Sequence, residues 1–128
     1  MVPTGRAGVP PDKPLRWVTG TLRTPPVGKE ARLEAGGLLR RLQRGEKLGM
    51  PHSRPMPSIG PRVHELRVND GEKRLTWRIF CRTDPDTILV VHWFAKKDRA
   101  TPKEGIELCR ARLKEYDRAQ EEDPEGLD

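Results

Sequence analysis

The chain has 128 residues, 34% of them hydrophobic and 34% charged, which allows one domain with a modest core. Its formal charge is +6, but the last ten residues carry five acids and no base, so residues 1–118 set 25 basic side chains against 14 acidic ones, a net +11 that favours a polyanionic partner over a small-molecule substrate. No apolar run approaches the roughly 18 residues of a membrane span and no secretory apolar segment opens the chain, so a cytoplasmic protein with no membrane partner is expected.

Residues 1–13, MVPTGRAGVPPDK, are rich in Pro and Gly with almost nothing to bury, and read as a disordered extension to a domain spanning residues 14–118. The segment LRWVTGTL starts a short strand, and Pro25 and Pro26 break the chain before a helix. Over residues 29–44, Ala31, Ala35, Leu38, Leu39 and Leu42 recur at helical spacing on one face. Gly36 and Gly37 weaken that helix by about 1 kcal/mol each relative to Ala, so it needs tertiary packing.

Residues 49–61 hold four prolines and two glycines, which predicts a stiff crossing loop without regular structure. Three strands follow: VHELRV at residues 63–68, ended by the turn signal Asn69-Asp70-Gly71; LTWRIFCR at 75–82; and TILVVHWFA at 87–95. Tight turns between successive strands imply an antiparallel meander. A last helix opens at Thr101-Pro102 with Glu104 completing a capping box, and Ile106, Cys109, Leu113 and Tyr116 share its inner face. Residues 119–128 form an acidic, mobile tail. Cys81 and Cys109 read as small buried apolar residues, and Trp17, Trp77 and Trp93 as core or rim.

Strand alternation places Glu65 and Arg67 on one face of their strand, and Thr76, Arg78, Phe80 and Arg82 on one face of the next. Arg67 and Arg78 are then neighbours on an exposed face. His92 or Lys96 from the third strand adds a titratable group, and Arg82, Lys97 and Arg99 add cations that would hold RNA phosphates. Such a cluster suits ribonucleotide cleavage by the 2′-hydroxyl: a base takes its proton, cations stabilise the phosphorane, and an acid protonates the leaving oxygen. No HxxxH, CxxC or clustered carboxylate is present, so neither a metal site nor a cofactor is expected. Each piece also has a plainer reading. Arg67 beside Glu65 suits an ordinary surface charge arrangement, His92 between Val91 and Trp93 suits a satisfied half-buried histidine, and the charge as a whole suits a solvated surface rich in Arg and Glu.

The order of motifs carries further information. KPLRW, LLRRLQRGE, RPMPSIGPRVHELRV, the strand WRIF, and VVHWFAKKDRATPKEGIELCRARLKEY together resemble the HigB-like toxins of the RelE/ParE superfamily, in the branch first noted as phage-derived proteins. The resemblance implies an α+β, RelE-like fold: an antiparallel sheet of three to four strands packed with N-terminal and C-terminal helices. It also implies a metal-independent endoribonuclease acting on translated mRNA at the ribosome, partnered by a small helix-turn-helix antitoxin. By the family motifs, Arg67 and Arg78 are the phosphate-stabilising arginines, His92 and Lys96 the proton-transfer groups, and Lys97 belongs to the same H-x-F-x-KK element. The chain departs from the family pattern at Cys81, where a tyrosine is usual, and at Asp98 and Ala100 in the basic run. A ParE-like inhibitor of DNA gyrase and a non-catalytic nucleic-acid-binding remnant are the alternatives.

Overall fold

A computed structural model describes residues 12–22, 26–96 and 103–122. In chain order these residues form β1 (Leu15–Trp17), α1 (Lys29–Gln43), β2 (Ser53–Pro55), β3 (Val63–Asp70), β4 (Leu75–Thr83), β5 (Ile88–Lys96) and α2 (Lys103–Glu122). The expected capping box at Thr101-Pro102, most of the N-terminal extension and residues 123–128 lie outside the described residues. No helix among the described residues is long and apolar enough to cross a membrane.

Helix α1 follows its periodicity: the five residues it buries are Ala31, Ala35, Leu38, Leu39 and Leu42. Arg40 and Arg41 in its last turn face the negative end of the helix dipole. Gly45, at φ 91°, closes it; the Gly45 amide donates to the Leu42 carbonyl (2.9 Å) and the Glu46 amide to that of Arg41 (3.1 Å). These are the two bonds of a Schellman termination, which glycine permits because it enters the left-handed region without a Cβ clash.

The sheet is where expectation and structure part. The strand order is β1-β5-β4-β3-β2, five strands rather than three to four, and the sheet is mixed. The three long strands form the predicted antiparallel meander, but β1 joins β5 in parallel, with Leu15 opposite Ile88 and Trp17 opposite Val90. The Ile88 amide and the Thr87 hydroxyl both donate to the Pro14 carbonyl, at 2.9 and 3.2 Å, which docks the incoming chain there. Within the loop expected to lack regular structure, Ser53–Pro55 pairs with Leu66, Glu65 and His64 as the other edge strand. Proline is tolerated on an edge, where its missing donor breaks no inner ladder.

Strand alternation sorts the side chains as predicted. Leu66, Val68, Trp77, Ile79, Cys81, Ile88 and Val90 face α1, while Val63, Phe80, Leu89 and Val91 face α2 through Cys109 and Leu113. Three layers result, with the sheet between two helices. Helix α2 continues to Glu122, four residues into the stretch read as a tail.

Asp70 explains why the β3–β4 turn falls later than the Asn69-Asp70-Gly71 signal suggests. Both Asn69 and Asp70 stay in the ladder, opposite Thr76 and Leu75, and the turn is made by residues 71–74 with Arg74 at φ 56°. The Asp70 carboxylate accepts from the Gly28 amide (2.7 Å), Trp77 Nε1 (2.8 Å) and the Lys73 amide (3.1 Å), so one side chain joins the start of α1 to the hairpin. A Cβ at Gly28 would lie 2.4 Å from Asp70 Oδ1. Gly28→Ala should therefore destabilise the protein by about 1–3 kcal/mol in chemical denaturation, the usual cost of overpacking. A variant as stable as the wild type would mean that the two elements part without cost.

Burial pushes the Asp70 pKa up, but hydrogen bonds from Trp77, Gly28 and Lys73 outweigh it and hold the carboxyl below its ordinary value. A carboxyl depressed in the folded state adds stability that is complete above its unfolded pKa of about 3.9 and is lost as pH falls through the lower folded value. Urea midpoints should accordingly fall as pH drops below about 4, and Asp70→Asn should flatten that part of the curve. An unchanged slope in the variant would assign the acid sensitivity to other groups.

Candidate active site

The sheet face toward α2 collects the motif residues. Arg67 of β3 stands directly opposite Arg78 of β4 in the register, and Glu65 opposite Phe80. On β5 a register shift intervenes: Cys81 pairs with Val90 but Phe80 with His92, leaving Val91 as the extra residue of a β-bulge. Two successive residues, Val91 and His92, therefore point to the same face. Before the bulge Leu89 and Val91 face α2. After it His92 and Phe94 do, while Trp93 and Ala95 join the α1 side. With strict alternation from Ile88 onward, His92 would have faced α1, away from both arginines.

The rings confirm the geometry. His92 stacks on Phe94 (centroids 5.3 Å apart) and Phe94 on Phe80 (5.7 Å), while Trp77 and Trp93 meet at 5.7 Å on the opposite face. The strand runs on to Lys96, opposite Thr76; the Lys96 side chain, Lys97 and Arg99 lie outside the described residues.

The two arginines are neighbours, as expected, but they do not share an exposed face. Arg78 is only 2% exposed, and its Nη1 donates to Glu65 Oε2 at 3.1 Å, with Glu65 fully buried. Arg54 Nε donates to the other oxygen of Glu65 at 2.9 Å. A buried carboxylate thus lies between two guanidiniums, because alternation puts Glu65 and Arg78 on one face and burial requires a counter-charge. Arg67 is half-buried, and among the described residues no carboxylate pairs with it. It is the less buried cation of the pair.

Arg82 also differs from expectation. Its Nε and Nη2 donate to the two oxygens of Asp84 (2.7 and 3.0 Å), and Nη2 and Nη1 to those of Asp117 on α2 (2.7 and 3.0 Å). The hydrogen bonds that Arg82 donates to Asp117 raise its pKa beyond its already high value. Bidentate contacts to two carboxylates make Arg82 a clamp between the end of β4 and α2, with few donors left for RNA. The Tyr116 ring lies beside it, its centroid 6.0 Å from Cζ.

His92 is half-buried, with Arg112 of α2 beside it. Arg112 Nη1 lies 3.1 Å from His92 Nδ1 and donates to the Val91 carbonyl at 2.9 Å. Burial, and then the charge of Arg112, push the His92 pKa below its ordinary value. Both effects favour the neutral ring. Burial raises the Cys81 and Cys109 thiols to about 12 and about 11, which fits their reading as core residues and leaves no thiolate nucleophile.

Among the described residues no group of three or more His, Cys, Asp or Glu could hold a metal ion. A cavity of about 450 Å³ lies between Lys13, Leu42, Leu48 and His64, and a groove of about 380 Å³ between Arg16, Trp17, Arg112 and Tyr116; neither is lined by Arg67 or Arg78.

Sequence reasoning missed Arg54, Arg112 and Asp117. Alternation pointed to Glu65 as a neighbour of the arginines, but nothing local marks Arg112 or Asp117, each a charge on a largely exposed helix. In comparison with known proteins, residues 27–114 match the model of the family described as Phage derived protein Gp49-like (DUF891). No curated protein matches the chain.

Proposed function

The chain belongs to the Gp49-like family of phage-derived proteins, and on that premise we propose that it is the toxin of a toxin–antitoxin pair, a HigB-like member of the RelE/ParE superfamily that cleaves mRNA at the ribosome. Family membership is consistent with such a toxin. The observation that carries the cleaving role is the bulge at Val91, which sends His92 and Phe94 to the face where Arg67 and Arg78 pair.

In this reading the 2′-hydroxyl oxygen attacks its own phosphorus, the bond to the leaving oxygen breaks, and a cyclic phosphate forms. One proton leaves the attacking hydroxyl and another reaches the leaving oxygen. Arg67 holds the phosphate charge, and Arg78, paired with Glu65, fixes the surface around it. The motif offers Lys96 and His92 for proton transfer, with Lys97 and Arg99 as further phosphate ligands. The partner is a small helix-turn-helix antitoxin in the cytoplasm, whose acidic groups would cover the cationic face.

Induced alone, the protein should arrest growth and shorten transcripts, and co-expression of the neighbouring gene should abolish both. Cleavage by purified protein with ribosomes should survive a transition-metal chelator while magnesium is maintained. Loss of cutting that a transition metal alone restores would overturn the side-chain mechanism. One observation favours a second reading: Arg78 and Arg82 are tied into internal ion pairs, which suits a surface that binds without cutting. Arrest with intact transcripts and blocked DNA supercoiling would establish a ParE-like gyrase inhibitor instead.

A further inference from the structure

Arg112 makes two contacts with one nitrogen. Its Nη1 donates to the Val91 carbonyl at 2.9 Å and lies 3.1 Å from His92 Nδ1. A guanidinium only donates, so Nδ1 must accept, and the imidazole proton is left on Nε2. Both contacts fall on the bulge that turns His92 toward the arginine face.

We propose that Arg112 is a positioning residue of this site, holding His92 as the neutral imidazole protonated on Nε2, so that His92 meets RNA as a hydrogen-bond donor and stacking ring and not as the proton acceptor. The inference rests on the reading of this face as RNA-cleaving and narrows it. A histidine that accepts the hydroxyl proton through Nε2 needs that nitrogen bare, which requires the proton on Nδ1, where Arg112 sits. One that donates a proton as an acid needs both nitrogens protonated, which Arg112 opposes by charge and by occupying Nδ1. Both proton transfers, from the attacking hydroxyl and to the leaving oxygen, then fall to the other motif candidate, Lys96.

The surroundings of the ring agree with this assignment. From α2 it is faced by Arg112, with the buried thiol of Cys109 one turn earlier. From β4 its cross-strand partner is Phe80, flanked on the same face of that strand by Arg78, paired with Glu65, and Arg82, paired with Asp84 and Asp117. Lys96 lies further along β5. No carboxylate among the described residues hydrogen-bonds the ring. Burial and Arg112 both lower its pKa. The stack of His92 on Phe94 and Phe80 gives the ring a second use, as a member of an aromatic cluster on this face.

Long-range proton–nitrogen NMR of the three histidines tests the assignment on the intact protein, with no RNA present. In the wild type, His92 should show a bare Nδ1, a protonated Nε2 and a titration midpoint below the ordinary value of about 6.5. Arg112→Met should raise that midpoint toward about 6.5 and mix the two tautomers, while Arg112→Lys restores part of the wild-type behaviour. The His52 and His64 resonances should keep their chemical shifts at neutral pH in all three proteins, which verifies the fold. A protonated Nδ1 in the wild type, or an unchanged His92 in Arg112→Met, would overturn the proposal. If Arg112→Met disturbs His52 and His64 as well, the wild-type tautomer and Arg112→Lys decide. Transcript cleavage is scored separately: the predicted tautomer in a protein that cuts nothing would sink the ribonuclease reading and leave the role of Arg112 standing. Cleavage by a protein with the opposite tautomer would do the reverse.

Discussion

Arg67→Ala should cleave RNA at least about 10²-fold more slowly than the wild type, the scale of losing one preorganised donor to a transition-state charge. It should also melt at the same temperature. Arg67 is half-buried and, among the described residues, no carboxylate pairs with it, so truncation leaves no buried charge behind. Single-turnover cleavage on programmed ribosomes, read beside a thermal melt, separates the two quantities. A folded variant that cuts at the wild-type rate would place the phosphate site elsewhere on the molecule.

Arg78→Met should do the opposite, lowering stability by about 3 kcal/mol, because it removes one counter-charge of the fully buried Glu65. Arg54 still reaches Glu65, which holds the cost toward the lower end of the range for a broken buried pair. For a domain of this size such a loss lowers the melting temperature by at least about 10 °C. Glu65→Gln in the same chain should recover most of it, since the buried charge that lost a counter-charge is then gone. Matching denaturation curves for Arg78→Met and the wild type would show that the pair contributes nothing to folding. The consequence for function is direct: lost cleavage in an Arg78 variant reports catalysis only after folding has been measured, whereas in an Arg67 variant it reports the site.

The parts of this fold legible in the sequence are those written in short windows. The five apolar residues of α1 recur at helical spacing, and the same five are buried. Alternation in VHELRV and LTWRIFCR sorted β3 and β4 correctly onto two faces, and it set Glu65, Arg67 and Arg78 together because a side chain's face depends only on its parity within the strand. The thiols of Cys81 and Cys109 are buried, as their apolar neighbours imply. Of the edge strands, β1 begins where LRWVTGTL implied, though its parallel pairing was not legible; β2 was harder, having three residues, too few for a period to register, and ending in a proline.

Sequence by itself thus determined the charge imbalance, the main helices and strands, and the pairing of Arg67 with Arg78, all properties of composition or of residues a few positions apart. Tertiary structure decided which of those cations stay open. Arg78 meets Glu65 across 13 positions, Arg112 meets His92 across 20 and Arg82 meets Asp117 across 35. No periodicity spans such separations, and burial selects the partner only once the layers have closed. The bulge at Val91 belongs with them: nothing in ILVVHWF marks an extra residue, and it arises where β5 must satisfy both β4 and the α2 face. That one insertion turns His92 toward the arginines, and so the local pattern names the chemistry while long-range packing assigns the roles.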